Sequence, residues 1–225
     1  MHLRELEARL GCVFQDEKLL ETALTHPSFG GDYHVPHYQR LEFLGDAVLE
    51  LAVSRYLYFE LPDVDEGKLT RIRAYLVREE TLSRAARRLG LGELIRFSVG
   101  EERSGGRNKP SILCDVLEAV LGAVYLDAGF DEAVRVVSLM LQEELRPEVL
   151  KDHLDAKSRL QELFQREGVM PEYEFVAMEG PPHAPVFTYR VLRAGTELGM
   201  GKGTSKQNAQ QAAARDALKR MGAYA

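Results

Sequence analysis

An all-α domain followed by a small α+β domain of order α-β-β-β-α is the fold class this sequence predicts. Three observations carry it. From Leu3 to about Arg146, apolar residues recur at three- and four-residue spacing, as in Leu3, Leu6 and Leu10 and later in Leu76, Leu82, Ala86 and Leu89. That is the helical period. Near Pro147 the chain turns short and polar, as a linker does. Beyond it an amphipathic segment, three short segments of strand character and an Ala-rich segment follow in order. The expected domains are 1–147 and 155–225, joined by a linker over 148–154.

The elements follow in chain order. Gly30-Gly31 marks a loop. A long helix is expected from near His37 to Phe59, stopped by Leu61-Pro62 because the residue before proline avoids helical geometry. Ser104-Gly105-Gly106 is a second loop, and Pro110 or Ser111 opens another apolar helix. In the second domain, Ala156 to Gln165 reads as an amphipathic helix. Tyr173, Phe175 and Ala177 alternate with other residues as in a half-buried strand. Gly180-Pro181-Pro182 is a turn, Phe187 to Val191 a second strand and Glu197 to Gly201 a third. The last helix runs through Ala209, Ala212, Ala213, Ala214, Ala217 and Leu218, with Thr204 and Gln207 at capping-box spacing.

Composition bounds the rest. With 225 residues, 45% hydrophobic and 28% charged, the chain can bury one large core or two smaller ones. No apolar run reaches the length of a membrane span, and the N-terminus lacks the basic-then-apolar pattern of a signal peptide. Cys12 and Cys114 are the only cysteines; both sit beside apolar residues and read as buried free thiols of a reducing cytoplasm. The net charge of −6 is unevenly spread. Residues 152–225 hold ten basic and nine acidic residues, against nineteen and twenty-six in residues 1–151. That balance neither supports nor excludes a nucleic-acid partner.

Two acidic pairs carry the chemistry. In Arg40-Leu41-Glu42-Phe43-Leu44-Gly45-Asp46-Ala47-Val48-Leu49-Glu50, Glu42 and Asp46 lie four apart, on one helical face inside an apolar run. In the run from Ile112 to Tyr125 the only charges are Asp115 and Glu118, three apart. Holding like charges close and partly desolvated is costly. A cation that takes oxygen ligands, Mg²⁺ above all, offsets that cost. A single such pair could be a solvated face; two make that reading unlike the pattern. His2, His26, His34, His37, His153 and His183 show no zinc spacing, and no Ser-His-Asp or Cys-His set competes.

The eleven residues from Arg40 resemble the defining motif of ribonuclease III, the double-stranded-RNA endonuclease. Asp115-Val116-Leu117-Glu118 resembles that family's second acidic element. The segment Gly199 to Ala209, containing Lys202, Lys206 and Gln207, resembles the most telling motif of the double-stranded-RNA-binding domain. Length and tail together resemble the bacterial enzymes. The resemblance implies the ribonuclease III endonuclease fold, with Asp46 and Glu118 catalytic and Glu42, Asp115 and Glu118 holding Mg²⁺, for which Mn²⁺ could substitute. Glu66 matches a further acidic position near the cleft. Gln39 stands where bacterial members usually carry glutamate, and an amide there can orient a water.

By the same resemblance Gln161 and His183 touch successive minor grooves, and Lys202, Lys206 and Gln207 reach phosphates between them. Such domains read A-form shape. Phe43 reads as a core residue from its apolar neighbours alone. The family instead places this aromatic on the surface, inserted into a second subunit of a homodimer, so that two sites cut both strands. The implied products have 5′-phosphate and 3′-hydroxyl ends with short 3′ overhangs, and the implied substrates are ribosomal RNA precursors, some messenger RNAs and transfer RNA in the cytoplasm. A catalytically silent RNA-binding protein and a plain oligomeric scaffold are the rival readings.

Overall fold

The computed structural model describes residues 2–147, 149–150, 156–165, 168–181 and 184–222. His183 and most of the expected linker lie outside them. The chain forms two compact units, Met1–Arg146 and Pro147–Ala225.

The first unit is built of helices, with one isolated bridge pairing Thr25 with Arg96 among its described residues. It runs α1 (His2–Leu10), α2 (Glu17–Ala23), α3 (Pro27–Tyr33), α4 (Gln39–Glu60), α5 (Glu66–Leu76), α6 (Glu79–Arg88), α7 (Leu91–Leu94), α8 (Val99–Arg103), a 3-10 turn at Gly106–Asn108, α9 (Pro110–Ala128) and α10 (Phe130–Met140). The polar residues between the apolar stretches set the helix starts. Asp16, Asp65 and Ser98 each accept a backbone N–H from the first turn of α2, α5 and α8. These caps satisfy donors that a helix start leaves free. Pro110 occupies the first turn of α9, where its missing N–H costs nothing.

Helix α9 is the centre of this unit. From Ile112 to Val124 every residue except Asp115 and Glu118 is buried. A helix that is apolar all round has to be enclosed, and α2, α4, α6 and α10 enclose it. Helix α4 supplies the complementary stripe of Leu41, Gly45, Val48, Leu49, Ala52, Val53 and Leu57. At one edge Arg88 of α6 forks onto both carboxyl oxygens of Glu144, at 3.0 and 2.7 Å, and Glu144 is buried.

Two glycines fix how α4 and α9 cross. A Cβ built on Gly45 would run into the Glu118 carbonyl, and one on Gly122 into the Leu41 carbonyl oxygen. The helices therefore meet backbone to backbone, with no side chain between them at that point.

The second unit is α11 (Ala156–Gln165), β1 (Glu172–Glu179), β2 (Val186–Arg193), β3 (Thr196–Gly203) and α12 (Lys206–Arg220). The antiparallel sheet has order β1-β2-β3. Ala156, Leu160, Phe164, Val191, Ala213, Ala214, Ala217 and Leu218 form its core. Gly199, Gly201 and Gly203 alternate along β3 and lie against the α12 backbone at Ala217, Ala213 and Ala209, with no room for a Cβ. Glycine at every second strand residue thus meets alanine at every fourth helix residue.

Four expectations need correction. Gly30-Gly31 lies inside α3 rather than in a loop, with Gly30 buried. Phe175 is exposed rather than half-buried, its ring edge-on to Tyr189 with centroids 5.7 Å apart. The ladder shifts register between Phe175 and Ala177, so Val176 is a bulge residue that breaks the alternation. The cap of α12 is Ser205, not Thr204: Ser205 has extended backbone and its hydroxyl accepts from Asn208 N at 3.1 Å. Cys114 is buried, but Cys12 is only partly so; both are free.

Gly122→Ala tests the crossing. Helix propensity alone would stabilise the variant by up to about 1 kcal/mol. Forcing a methyl group into the Leu41 carbonyl should instead cost about 1–3 kcal/mol through overpacking. The expected result is a lower urea midpoint; a raised midpoint would show that the helices have room at this point.

Candidate active site

Because Gly45 presses on the backbone of Glu118 and Gly122 on that of Leu41, the acidic pairs of α4 and α9 flank one crossing. Glu42, Asp115 and Glu118 are half-buried, and Asp46 is exposed. Their charges act on one another. Burial first, and then the charges of Asp46, Asp115 and Glu42, together push the Glu118 carboxyl from its ordinary 4.5 up to about 7, against a lowering hydrogen bond from Cys114. Burial, then Asp115 and Asp46, raise Glu42. Burial also raises Asp115, with Glu79 adding to the effect and a hydrogen bond from Tyr38 opposing it. The neighbours acting on Glu118 are all acidic apart from the Cys114 thiol.

Two side chains that the sequence reading did not single out for the site hold these carboxylates. Tyr38 Oη donates to Asp115 Oδ2 at 3.2 Å, and Cys114 Sγ donates to Glu118 Oε1 at 3.5 Å. Cys114 was detectable by helical spacing, four residues before Glu118; Tyr38 was not, because its partner Asp115 lies on another helix.

As their side chains are placed, no three His, Cys, Asp or Glu residues among those described stand close enough together to hold a metal ion. The donor chemistry nonetheless fits a hard divalent cation. The oxygens come from carboxylates, the helices carrying them are fixed by the crossing, and the carboxylates repel one another.

Gln39 is the exposed first residue of α4, one turn before Glu42. Glu66 is the exposed first residue of α5 and accepts from Thr70 Oγ1 at 3.2 Å. It lines a cleft with Ser54, Leu57, Tyr58, Leu69, Thr70 and Arg73. Ser54 is about 12 Å along α4 from Asp46 at 1.5 Å per residue, so this cleft lies away from the four carboxylates. Phe43 is 83% exposed, which overturns its reading as core. Leu41, Gly45, Val48 and Leu49 take the inward stripe of α4 and leave Phe43 outside it. Ala47, Leu51 and Tyr58 are exposed on the same side of the helix.

In the second unit Gln161, Lys202, Lys206 and Gln207 are all exposed. Lys206 and Gln207 open α12, where free N–H groups and the helix dipole favour anions. The glycines of β3 face α12, so Lys202 points to the other face of the sheet. There its Nζ pairs with Glu179 Oε2 at 3.1 Å. On the same sheet Arg190 pairs with Glu174 at 2.8 Å.

The comparisons with known proteins agree with this division of the chain. Residues 16–145 match the family model described as ribonuclease-III-like, and residues 156–221 match the double-stranded RNA binding motif. Ribonuclease 3 of Pelotomaculum thermopropionicum is 50% identical over 219 residues, spanning 95% of this chain and 90% of that protein. Ribonuclease 3 of Clostridium botulinum is 44% identical over 220 residues, spanning 96% and 95%. Among solved structures, the nuclease domain of ribonuclease III from Campylobacter jejuni superposes with a TM-score of 0.59 at 45% identity, covering 63% of this chain and 96% of that one. That structure is described as flexible in a region involved in dimer formation. No described helix is long and apolar enough to cross a membrane. Identity near one half, sustained through both units, leaves one assignment: this chain belongs to the ribonuclease III family.

Proposed function

We propose that this chain is a Mg²⁺-dependent endonuclease of double-stranded RNA that works as a homodimer. The observation that carries the reading is the set of four mutually repelling carboxylates around the α4–α9 crossing, in a chain that also matches a double-stranded RNA binding motif. Residues 1–147 cut, residues 155–225 grip the duplex, and 148–154 connect them.

Glu42, Asp115 and Glu118 would hold the ion, with Asp46 beside Glu118. When bound, the ion supplies charge neutralisation at the scissile phosphate and activates water for hydrolysis. The chain's own part is placement and proton balance. Tyr38 and Cys114 orient their carboxylates by hydrogen bonds. Glu118, whose carboxyl is raised in the metal-free site, gives up its proton when a cation binds, as a carboxylate ligand must. Gln39 can orient a water through its amide, and Glu66 adds acidity along the RNA path. Gln161, His183, Lys202, Lys206 and Gln207 contact the duplex, chiefly at phosphates and 2′-hydroxyls.

The exposed Phe43 is the anchor of the dimer. One site per subunit then cuts one strand each, leaving 5′-phosphate and 3′-hydroxyl ends with short 3′ overhangs. Ribosomal RNA precursors and some messenger RNAs in the cytoplasm are the substrates this reading assigns.

The test is cleavage of a long RNA duplex in millimolar Mg²⁺ and in EDTA. Wild type should cut only with Mg²⁺. Glu118→Gln should not cut, while its duplex binding in EDTA is retained. Wild type inert in Mg²⁺, or a variant near wild-type rate, would overturn the reading.

The same substitution should stabilise the metal-free fold. Glu118 has a higher proton affinity folded, at about 7, than at its ordinary 4.5. The folded state therefore binds the extra proton between those values, and stability falls as pH rises through that window. In EDTA, Glu118→Gln should melt above wild type at pH 8, with the gap narrowing at pH 5. Equal melting temperatures at pH 8 would show that Glu118 is not a strained charge.

Phe43→Ala should leave the monomer's stability nearly unchanged, since surface changes typically fall within about 0.5 kcal/mol. It should shift the monomer–dimer equilibrium toward monomer in sedimentation at low micromolar concentration. An unchanged dimer would remove Phe43 from the interface.

A further inference from the structure

Tyr38 is only 3% exposed and stands directly before α4. Its backbone N–H donates to Thr25 O at 3.0 Å, and its carbonyl accepts from Leu41 and Glu42 at 2.8 and 2.9 Å. The His26 ring meets its ring edge-on, with centroids 5.7 Å apart, and His26 in turn packs on Phe97 at 5.1 Å. The phenol ring is thus fixed from the α2–α3 junction and from the start of α4. From that fixed ring the hydroxyl reaches 3.2 Å to Oδ2 of Asp115, on the central helix α9.

Packing alone does not call for a hydroxyl here, because phenylalanine would fill the same volume without burying a polar atom. A buried hydroxyl without a partner is costly, so the Tyr38–Asp115 bond is what makes tyrosine tolerable. The bond also does something for Asp115. A half-buried aspartate among like charges can swing its carboxyl group away from its neighbours. A donor on Oδ2 fixes the carboxyl plane, and the residue's own backbone N–H also bonds the carboxyl.

We propose that Tyr38 is a positioning residue for Asp115: its hydroxyl holds Oδ2 so that the carboxyl keeps one orientation near Glu42 and Glu118, ready for a divalent cation. The inference rests on the metal reading given above. It also assigns the His26 and Thr25 contacts a purpose, since they hold the ring from which the bond is made. Groups that orient a metal-binding side chain typically change affinity by about 10- to 100-fold when removed.

The experiment uses the full chain without RNA and reads melting temperature against Mg²⁺ concentration. Tyr38→Phe should move the half-point of Mg²⁺-dependent stabilisation upward by about 10-fold. The Mg²⁺ dependence of cleavage should move in parallel. In an Asp115→Asn background, adding Tyr38→Phe should move the half-point little further, because the two act as one unit. A purely structural tyrosine predicts the opposite pattern, a lower melting temperature in EDTA with an unchanged Mg²⁺ half-point, and that result overturns the inference. If Asp115→Asn abolishes Mg²⁺ stabilisation while Tyr38→Phe titrates like wild type, the inference fails and the metal reading stands. If wild type itself gains no stability from Mg²⁺, both fail.

Discussion

Helices α4 and α9 touch through their backbones at Gly45 and Gly122, and the chemistry of the first unit depends on that contact. A side chain at either position would hold the helices apart and move Glu42 and Asp46 away from Asp115 and Glu118. The contact also explains why four acids can sit beside an apolar core at all. Each helix buries a long apolar stripe, and at about 25 cal/mol per Å² of apolar surface that burial outweighs the repulsion between the carboxylates. The site is strained electrostatically because the packing around it is strong enough to hold it so.

What the sequence made legible follows from the same physics. Charges inside apolar runs stand out, so Glu42, Asp46, Asp115 and Glu118 could be read directly, and Pro110 and Leu61-Pro62 marked helix ends closely. The expected helix from His37 to Phe59 is Gln39–Glu60. Glycine inside a helix carries no such signal. By propensity Gly45 and Gly122 are merely weak helix residues, and only the partner helix reveals why they are there. Phe43 misled because apolar neighbours imply burial, whereas burial on a helix is set by angle. Tyr38 was missed because its partner is seventy-seven residues away, and no local pattern encodes such a pairing.

The second unit solves its packing problem in the same way as the first. Glycines at alternate positions of β3 bring α12 close, and small alanines on the helix accept it. A sequence reader sees an Ala-rich helix and a glycine-rich strand as two separate biases of composition. They are one interface. The Val176 bulge and the Ser205 cap were opaque for another reason. Both depend on backbone geometry, which neighbouring residue types constrain only loosely.

The pairing of Lys202 with Glu179 has a consequence for selectivity among anions. A lone phosphate that comes to Lys202 finds a carboxylate 3.1 Å from the same ammonium, and that carboxylate repels it. Binding there returns little for a dispersed anion. A polyanion that offers charge to Lys206 and the α12 N-terminus at the same moment can offset the repulsion at Lys202 with gains elsewhere. An exposed ion pair of this kind is weak, so it tilts the balance toward an anion with several spaced charges rather than setting a barrier against single ones.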